Sequence, residues 1–153
     1  MKQERGASMI EIIGVLAIAG VMTAAAVAMY NVIHTNQTRK IASTEIQNIA
    51  RDTKLLMELR GDYTGVSVDY LVSAGALKNV YPPIGGDEWS VTAIDSGAGF
   101  SINLVQLEHG DCQYFATTVP EWATDVQING VSVSGTDTNC FSTNTNQVSF
   151  IVK

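Results

Sequence analysis

Residues 1–30 read MKQERGASMIEIIGVLAIAGVMTAAAVAMY. A charged leader precedes Gly6-Ala7, and a long apolar run follows whose one charged residue, Glu11, stands near its start. Residues 12–29 make 18 successive positions with no ionisable side chain, close to the roughly 20 that carry a helix across a bilayer's hydrocarbon. The first expectation is therefore a membrane anchor. Burying an ionised carboxylate there costs on the order of 2.5 to 3.5 kcal/mol even on the lenient insertion scales, so Glu11 requires a partner.

Two ordinary readings compete for this segment. A secretory signal peptide would use Lys2 and Arg5 as its charged end and Ala26-Val27-Ala28 as its cleavage site. Such a signal has an apolar region of about 7 to 15 residues, shorter than this run and without an acid inside it. An uncut signal anchor would explain the basic leader through the positive-inside rule, but it gives Glu11 no purpose. Gly14 and Gly20 each cost about 1 kcal/mol relative to Ala in a helix interior. With Ala17, Ala19, Ala24, Ala25, Ala26 and Ala28 they form a small-residue surface of the kind through which membrane helices approach closely.

Outward from the apolar run, residues 31–60 contain neither Gly nor Pro and are rich in helix formers. Ala42, Ile46, Ile49, Thr53 and Leu56 recur at steps of three and four, which predicts one apolar face. Gly61 is the expected C-cap, with Lys54 and Arg60 near the negative end of the helix dipole. A helix from Ala7 to Arg60 would measure about 80 Å at 1.5 Å per residue, so half of it must belong to a domain outside the membrane.

Beyond Gly61 the pattern changes. Ser67 can cap a short helix through Tyr70, Leu71 and Ala74, closed by Gly75. WSVTAI (residues 89–94) and FSINLVQL (residues 100–107) alternate in polarity across a Gly-containing turn and predict a hairpin. A second short helix holds Cys112, Tyr114 and Phe115 and ends before Pro120. DVQI and VSV flank Asn129-Gly130, the strongest short hairpin signal, and QVSFIV closes the chain. The class predicted is α+β, a long helix packed by a small antiparallel sheet.

Gly6-Ala7-Ser8-Met9-Ile10-Glu11 and the apolar run resemble the class III signal and N-terminal helix of type IV pilins and their relatives, the type II secretion pseudopilins. The resemblance implies cleavage between Gly6 and Ala7 by a prepilin peptidase, N-methylation of Ala7, and polymerisation in which Glu11 faces the free α-amino group of Ala7 on a neighbouring subunit. The order of long helix, LVSAGAL segment, Gly85-Gly86 before a tryptophan strand, and FSINLVQL leading to a cysteine is similar in layout to type IVb pilins. Those pilins have longer leaders, and many members carry Phe, Met or Leu where this chain has Ala7. The implied organisation is leader 1–6, membrane and filament-core helix 7–30, stalk helix 31–60 and pilin head 61–153. The implied life of the protein runs from inner-membrane precursor, handled by the pilus assembly machinery, to an extracellular homo-oligomeric filament used for adhesion, conjugation or related contacts. A minor pilin or pseudopilin that primes or tips a filament, and an anchored binding module that never polymerises, are the alternatives.

Cys112 and Cys140 are the only cysteines among the 153 residues. An extracytoplasmic head sits where disulfides persist, so the pair reads as a bridge stapling the polar residues 132–147. A closed loop of that size contributes roughly 3 to 4 kcal/mol on the chain-entropy model.

Charge is unevenly spread. Residues 31–60 carry five basic and three acidic side chains, whereas residues 61–153 carry two basic, Lys78 and Lys153, against ten acidic. A head at net minus eight repels phosphate, so nucleic-acid binding by it is not expected. Complementarity between stalk and head predicts that Arg39 and Lys40 meet the acidic head of another subunit and set register.

Catalysis finds no motif. His34 falls on the stalk and His109 in a turn, neither within a nucleophile arrangement, and Gly97-Ala98-Gly99 lacks the Lys and following helix of a nucleotide loop. Asp125, Asp137 and Asn139 do not follow EF-hand spacing. No enzyme activity, metal or cofactor is expected.

Overall fold

A computed structural model describes residues 4–153, with side chains from Ser8 onward. The expected leader, residues 1–6, and the expected cut site between Gly6 and Ala7 lie outside the residues described at side-chain level. The fold is α+β, and the chain divides into two compact units, Met1–Gln37 and Thr38–Lys153.

Helix α1 (Glu4–Glu58, 55 residues) runs through both units. In the first unit every residue from 8 to 37 is exposed, Ile10, Val21 and Met22 at 74, 71 and 69%. The described part is long and apolar enough to cross a membrane, and its most apolar window is not buried by the chain at all. In the second unit the same helix acquires an inner face. Ala42, Ile46, Ile49, Ala50, Thr53 and Met57 are at most 3% exposed. Leu56, expected on that face, is only partly buried, and Met57 occupies the innermost place.

The helix stops earlier than Arg60. It ends at Glu58, so its last turn carries no basic residue and Arg60 lies beyond it. Arg60 and Gly61 both donate backbone N–H bonds to Met57 O, at 2.9 and 3.2 Å. Gly61 takes the positive φ of +84° that this closure demands. Helix α2 (Val68–Ser73) begins where Ser67 Oγ accepts from Tyr70 N at 3.2 Å, as its capping chemistry predicts.

The sheet is antiparallel throughout, in the order β1-β2-β5-β3-β4. Its strands are β1 (Ser90–Ile94), β2 (Gly99–Leu107), β3 (Asp125–Ile128), β4 (Val131–Ser132) and β5 (Asn146–Val152). Register explains the two faces. Val91, Ile102, Phe150 and Val126 align across four strands as one buried apolar row. One residue along, Ser90, Asn103, Ser149, Gln127 and Ser132 align across all five as a row of uncharged polar side chains. The apolar face shares a single core with the inner face of α1.

The β1–β2 connection is a 3-10 turn, Asp95–Gly97, with Ser96 at φ 57°. The β3–β4 turn holds Asn129 and Gly130 at φ 52° and 83°, both in the left-handed region that Asn-Gly adopts most cheaply. Strand β2 is less regular than its alternation suggests: a bulge lies between Leu104 and Leu107, with Gln106 at φ 58°. Helix α3 (His109–Thr117) follows β2, so His109 opens a helix and is not in a turn.

Candidate functional site

Glu11 is the one charged residue in the exposed stretch from Ser8 to Gln37. The ion pairs found among the described residues, Arg39–Asp111, Arg51–Asp52 and Lys153–Asp95, do not include it. A helix surface of this kind satisfies its own backbone but leaves its apolar side chains and one carboxylate to surroundings that the chain does not provide. A Cβ built on Gly14 or Gly20 meets nothing within 4 Å. Nothing inside the chain asks for glycine at either position, although each weakens the helix.

In the head, Arg39 and Lys40 have different fates. Arg39, one of the two cations expected to meet another subunit, is bound within its own head. Its Nε donates to Asp111 Oδ1 at 2.7 Å, with the two side chains 22 and 12% exposed. The guanidinium carbon lies 5.8 Å from the centre of the Tyr114 ring. A Cβ on Gly110 would come within 2.8 Å of the guanidinium, so glycine there makes room for it. Asp111 stands in the first turn of α3, where a carboxylate also suits the helix dipole. Only Lys40 of this pair is exposed.

Cys112, next to Asp111, is fully buried and bonded to Cys140, with the Cα atoms 6.0 Å apart. A second organiser of the same loop is Asn146, which is 0% exposed. Its Nδ2 is shared among Leu107 O at 3.2 Å, Phe141 O at 3.0 Å and Thr143 O at 2.8 Å. Its Oδ1 accepts from Phe141 N at 2.7 Å and from Asn129 Nδ2 at 3.1 Å. His109 adds a bond between Nδ1 and Phe141 O at 2.8 Å. Sequence reading missed Asn146, which sits among Ser, Thr and Asn residues of the same appearance. Its position at the first residue of a strand, behind a cysteine-closed loop, was the only signal.

The remaining polar candidates have ordinary partners. Asp125 Oδ2 accepts from Ser132 Oγ at 2.7 Å and Gln127 Nε2 at 3.2 Å, and Asp137 Oδ1 accepts from Asn139 N at 3.3 Å. Among the described residues no group of three or more His, Cys, Asp or Glu side chains is placed to hold a metal. Among the described residues two buried polar side-chain atoms lack a hydrogen-bond partner, Thr53 Oγ1 and Trp89 Nε1.

A comparison with protein-family models finds no match to this chain, and a comparison with curated proteins finds none either.

Proposed function

We propose that this chain is a structural subunit of a type IV pilus-like filament, matured by cleavage between Gly6 and Ala7 and assembled through α1. The observation that carries the reading is Glu11: a lone carboxylate on an otherwise apolar helix surface that the chain itself leaves uncovered from residue 8 to residue 37. In this reading the α-amino group of Ala7 on a neighbouring subunit neutralises it. Two charges that would each be costly in an apolar surrounding are then buried together.

The α+β head is consistent with a pilin fold, and its disulfide suits an oxidising, extracytoplasmic setting. The helix is compatible with membrane anchoring before assembly. The role is structural, with no catalytic step assigned to any residue.

The test is direct. Mass spectrometry of the mature protein is expected to find an N-terminus at Ala7, and Glu11→Leu is expected to abolish sheared surface filaments while the full chain still accumulates in the membrane. A mature chain beginning at Met1 or Met29 would end the reading. Cleavage at Ala7 with only trace amounts in the filaments would transfer it to a minor pilin or pseudopilin.

A further inference from the structure

The outer face of the stalk carries a basic strip, with Lys40 and Arg51 exposed and Lys54 half-buried. Positions 40, 44, 47, 51 and 54 succeed one another at steps of four, three, four and three, which places Lys40, Arg51 and Lys54 on one side of α1 with Thr44 and Gln47 between them. The ion pairs among the described residues leave Lys40 and Lys54 without a carboxylate, and Arg51 reaches only its neighbour Asp52, at 3.0 Å with its own side chain 65% exposed. Beside the strip lies a groove of about 450 Å³. Its lining includes Gln47, Ala50, Arg51, Lys54, Trp122 and Val152, two cations and no carboxylate. Trp122 is held in place against Phe150, ring centres 5.6 Å apart. Asp52 and Glu121 are the lining's acidic neighbours in sequence, and neither lines the groove.

The head offers a matching element. Asp87-Glu88 is the only pair of adjacent acidic residues in the chain, and both are exposed. The pair is preformed. Asp87 Oδ1 accepts from Glu88 N at 2.9 Å. Asp87 N donates to Val105 O at 3.3 Å, and Trp89 N to Val80 O at 2.7 Å. Gly86, at φ +92°, lies so close to β2 that a Cβ would approach Val105 O to 2.6 Å. Glu88 also accepts the hydroxyl of Tyr81, whose pKa is raised first by that bond and then by the charge of Glu88, and the Tyr81 side chain is 57% exposed. The loop thus presents two exposed carboxylates beside an aromatic ring, and the groove presents two cations beside another.

We propose that the groove along Arg51 and Lys54 receives the Asp87-Glu88 loop of a second copy of this chain. The occupant is a second copy because one chain carries both halves, and the head, at net minus eight, repels another head and attracts the basic stalk. The contact joins two different surfaces, so repeated head to tail it passes from copy to copy, as a filament requires. The inference rests on the filament reading, which supplies the setting in which copies meet head to stalk.

The experiment uses the full-length chain in its native membrane. With Lys54→Cys and Glu88→Cys combined, mild oxidation is expected to give a ladder of cross-linked multimers on a non-reducing gel, whereas each single variant gives dimers at most. Independently, Arg51→Glu with Lys54→Glu is expected to lower filament yield about tenfold, and adding Asp87→Lys with Glu88→Lys to restore most of it. Arg51, Asp87 and Glu88 are exposed and Lys54 is half-buried, and none of the four is in the core, so thermal melting of the head is expected to be unchanged. Normal filaments without a ladder or charge-swap rescue would overturn the groove contact and leave the filament reading standing. A ladder in membranes that never form filaments would support the contact and defeat the filament reading. Absence of ladder, rescue and filaments would overturn both.

Discussion

One helix has two halves with opposite relations to the rest of the chain. Between residues 8 and 37 its apolar side chains are all exposed, and the sequence is apolar around most of its circumference. From residue 38 onward the apolar positions narrow to a stripe, and that stripe is buried against the sheet. Helical backbone bonding is the same in both, so the difference lies wholly in side-chain pattern. A circumferential apolar surface requires an external apolar medium, whether lipid or other helices. A stripe requires only a partner face, and the head supplies one.

The sharpest way to break this comparison is to truncate one apolar residue in each half. Ile46→Ala removes a side chain that is 1% exposed and should cost the head about 2 to 5 kcal/mol, by lost transfer energy plus a residual cavity. Leu16→Ala removes one that is 65% exposed and should change head stability by less than about 0.5 kcal/mol. Thermal melting of the full chain in detergent, followed through the aromatic signals of the head, measures both. Equal losses would mean that the two halves are not energetically distinct.

The next contrast lies inside the head, between a covalent and a non-covalent fastening of the same loop. Cys112→Ser with Cys140→Ser should cost at most roughly 3 to 4 kcal/mol, because the loop regains freedom mainly in the unfolded chain. Asn146→Ala removes the buried bond to Leu107 O and the part-buried bonds to Phe141 N, Phe141 O and Thr143 O, and should cost about 3 kcal/mol with the disulfide intact. Hydrogen exchange separates the two. The amide of Phe141, which donates to Asn146 Oδ1 at 2.7 Å, should lose protection in the Asn146 variant and keep much of it in the disulfide variant.

How much of this was legible in the sequence follows the range of the forces involved. The left-handed turn at Gly61, the cap at Ser67 and the Asn129-Gly130 turn were readable because each is decided by a residue's own φ preference or by a bond spanning three positions. The two sheet faces were readable because alternation in β1, β2, β3 and β5 is a local pattern. The pairing of Arg39 within its own head was not legible because its partner, Asp111, is 72 positions away, and charge counting averages over such pairs. Gln106 and the β2 bulge were invisible for the same reason: FSINLVQL alternates acceptably, and only pairing with β5 shows that one strand carries extra residues. Glu11 was legible at once, being a single exception to a local rule.

A smaller effect tests the quality of the stalk's buried stripe. Thr53 is 0% exposed and its hydroxyl has no hydrogen-bond partner, so the head carries the desolvation of that group uncompensated. Thr53→Val keeps the branched shape and removes the hydroxyl, and it should stabilise the head by about 1 kcal/mol. The same substitution at the exposed Thr23, whose hydroxyl bonds Ala19 O at 2.7 Å, should leave the melting temperature unchanged. A destabilised Thr53→Val head would mean that the hydroxyl has a partner in solution.

The smallest effect comes at the junction where the helix leaves the core. Tyr63 packs against Phe100, with ring centres 4.9 Å apart, and its pKa is raised above 10.0 by partial burial and then by the charge of Glu58. A phenol whose folded pKa exceeds its unfolded one favours the folded state while it is neutral. That contribution is fully present below the unfolded value and is lost as pH rises through the folded one. Head stability should therefore fall as pH climbs above about 10, and Tyr63→Phe should flatten that decline without altering melting at about pH 7. Absorbance titration near the phenolate band would show one fewer late-ionising tyrosine in the variant. An unchanged alkaline decline would place the sensitivity elsewhere, and Tyr81 beside Glu88 would be the next residue to replace.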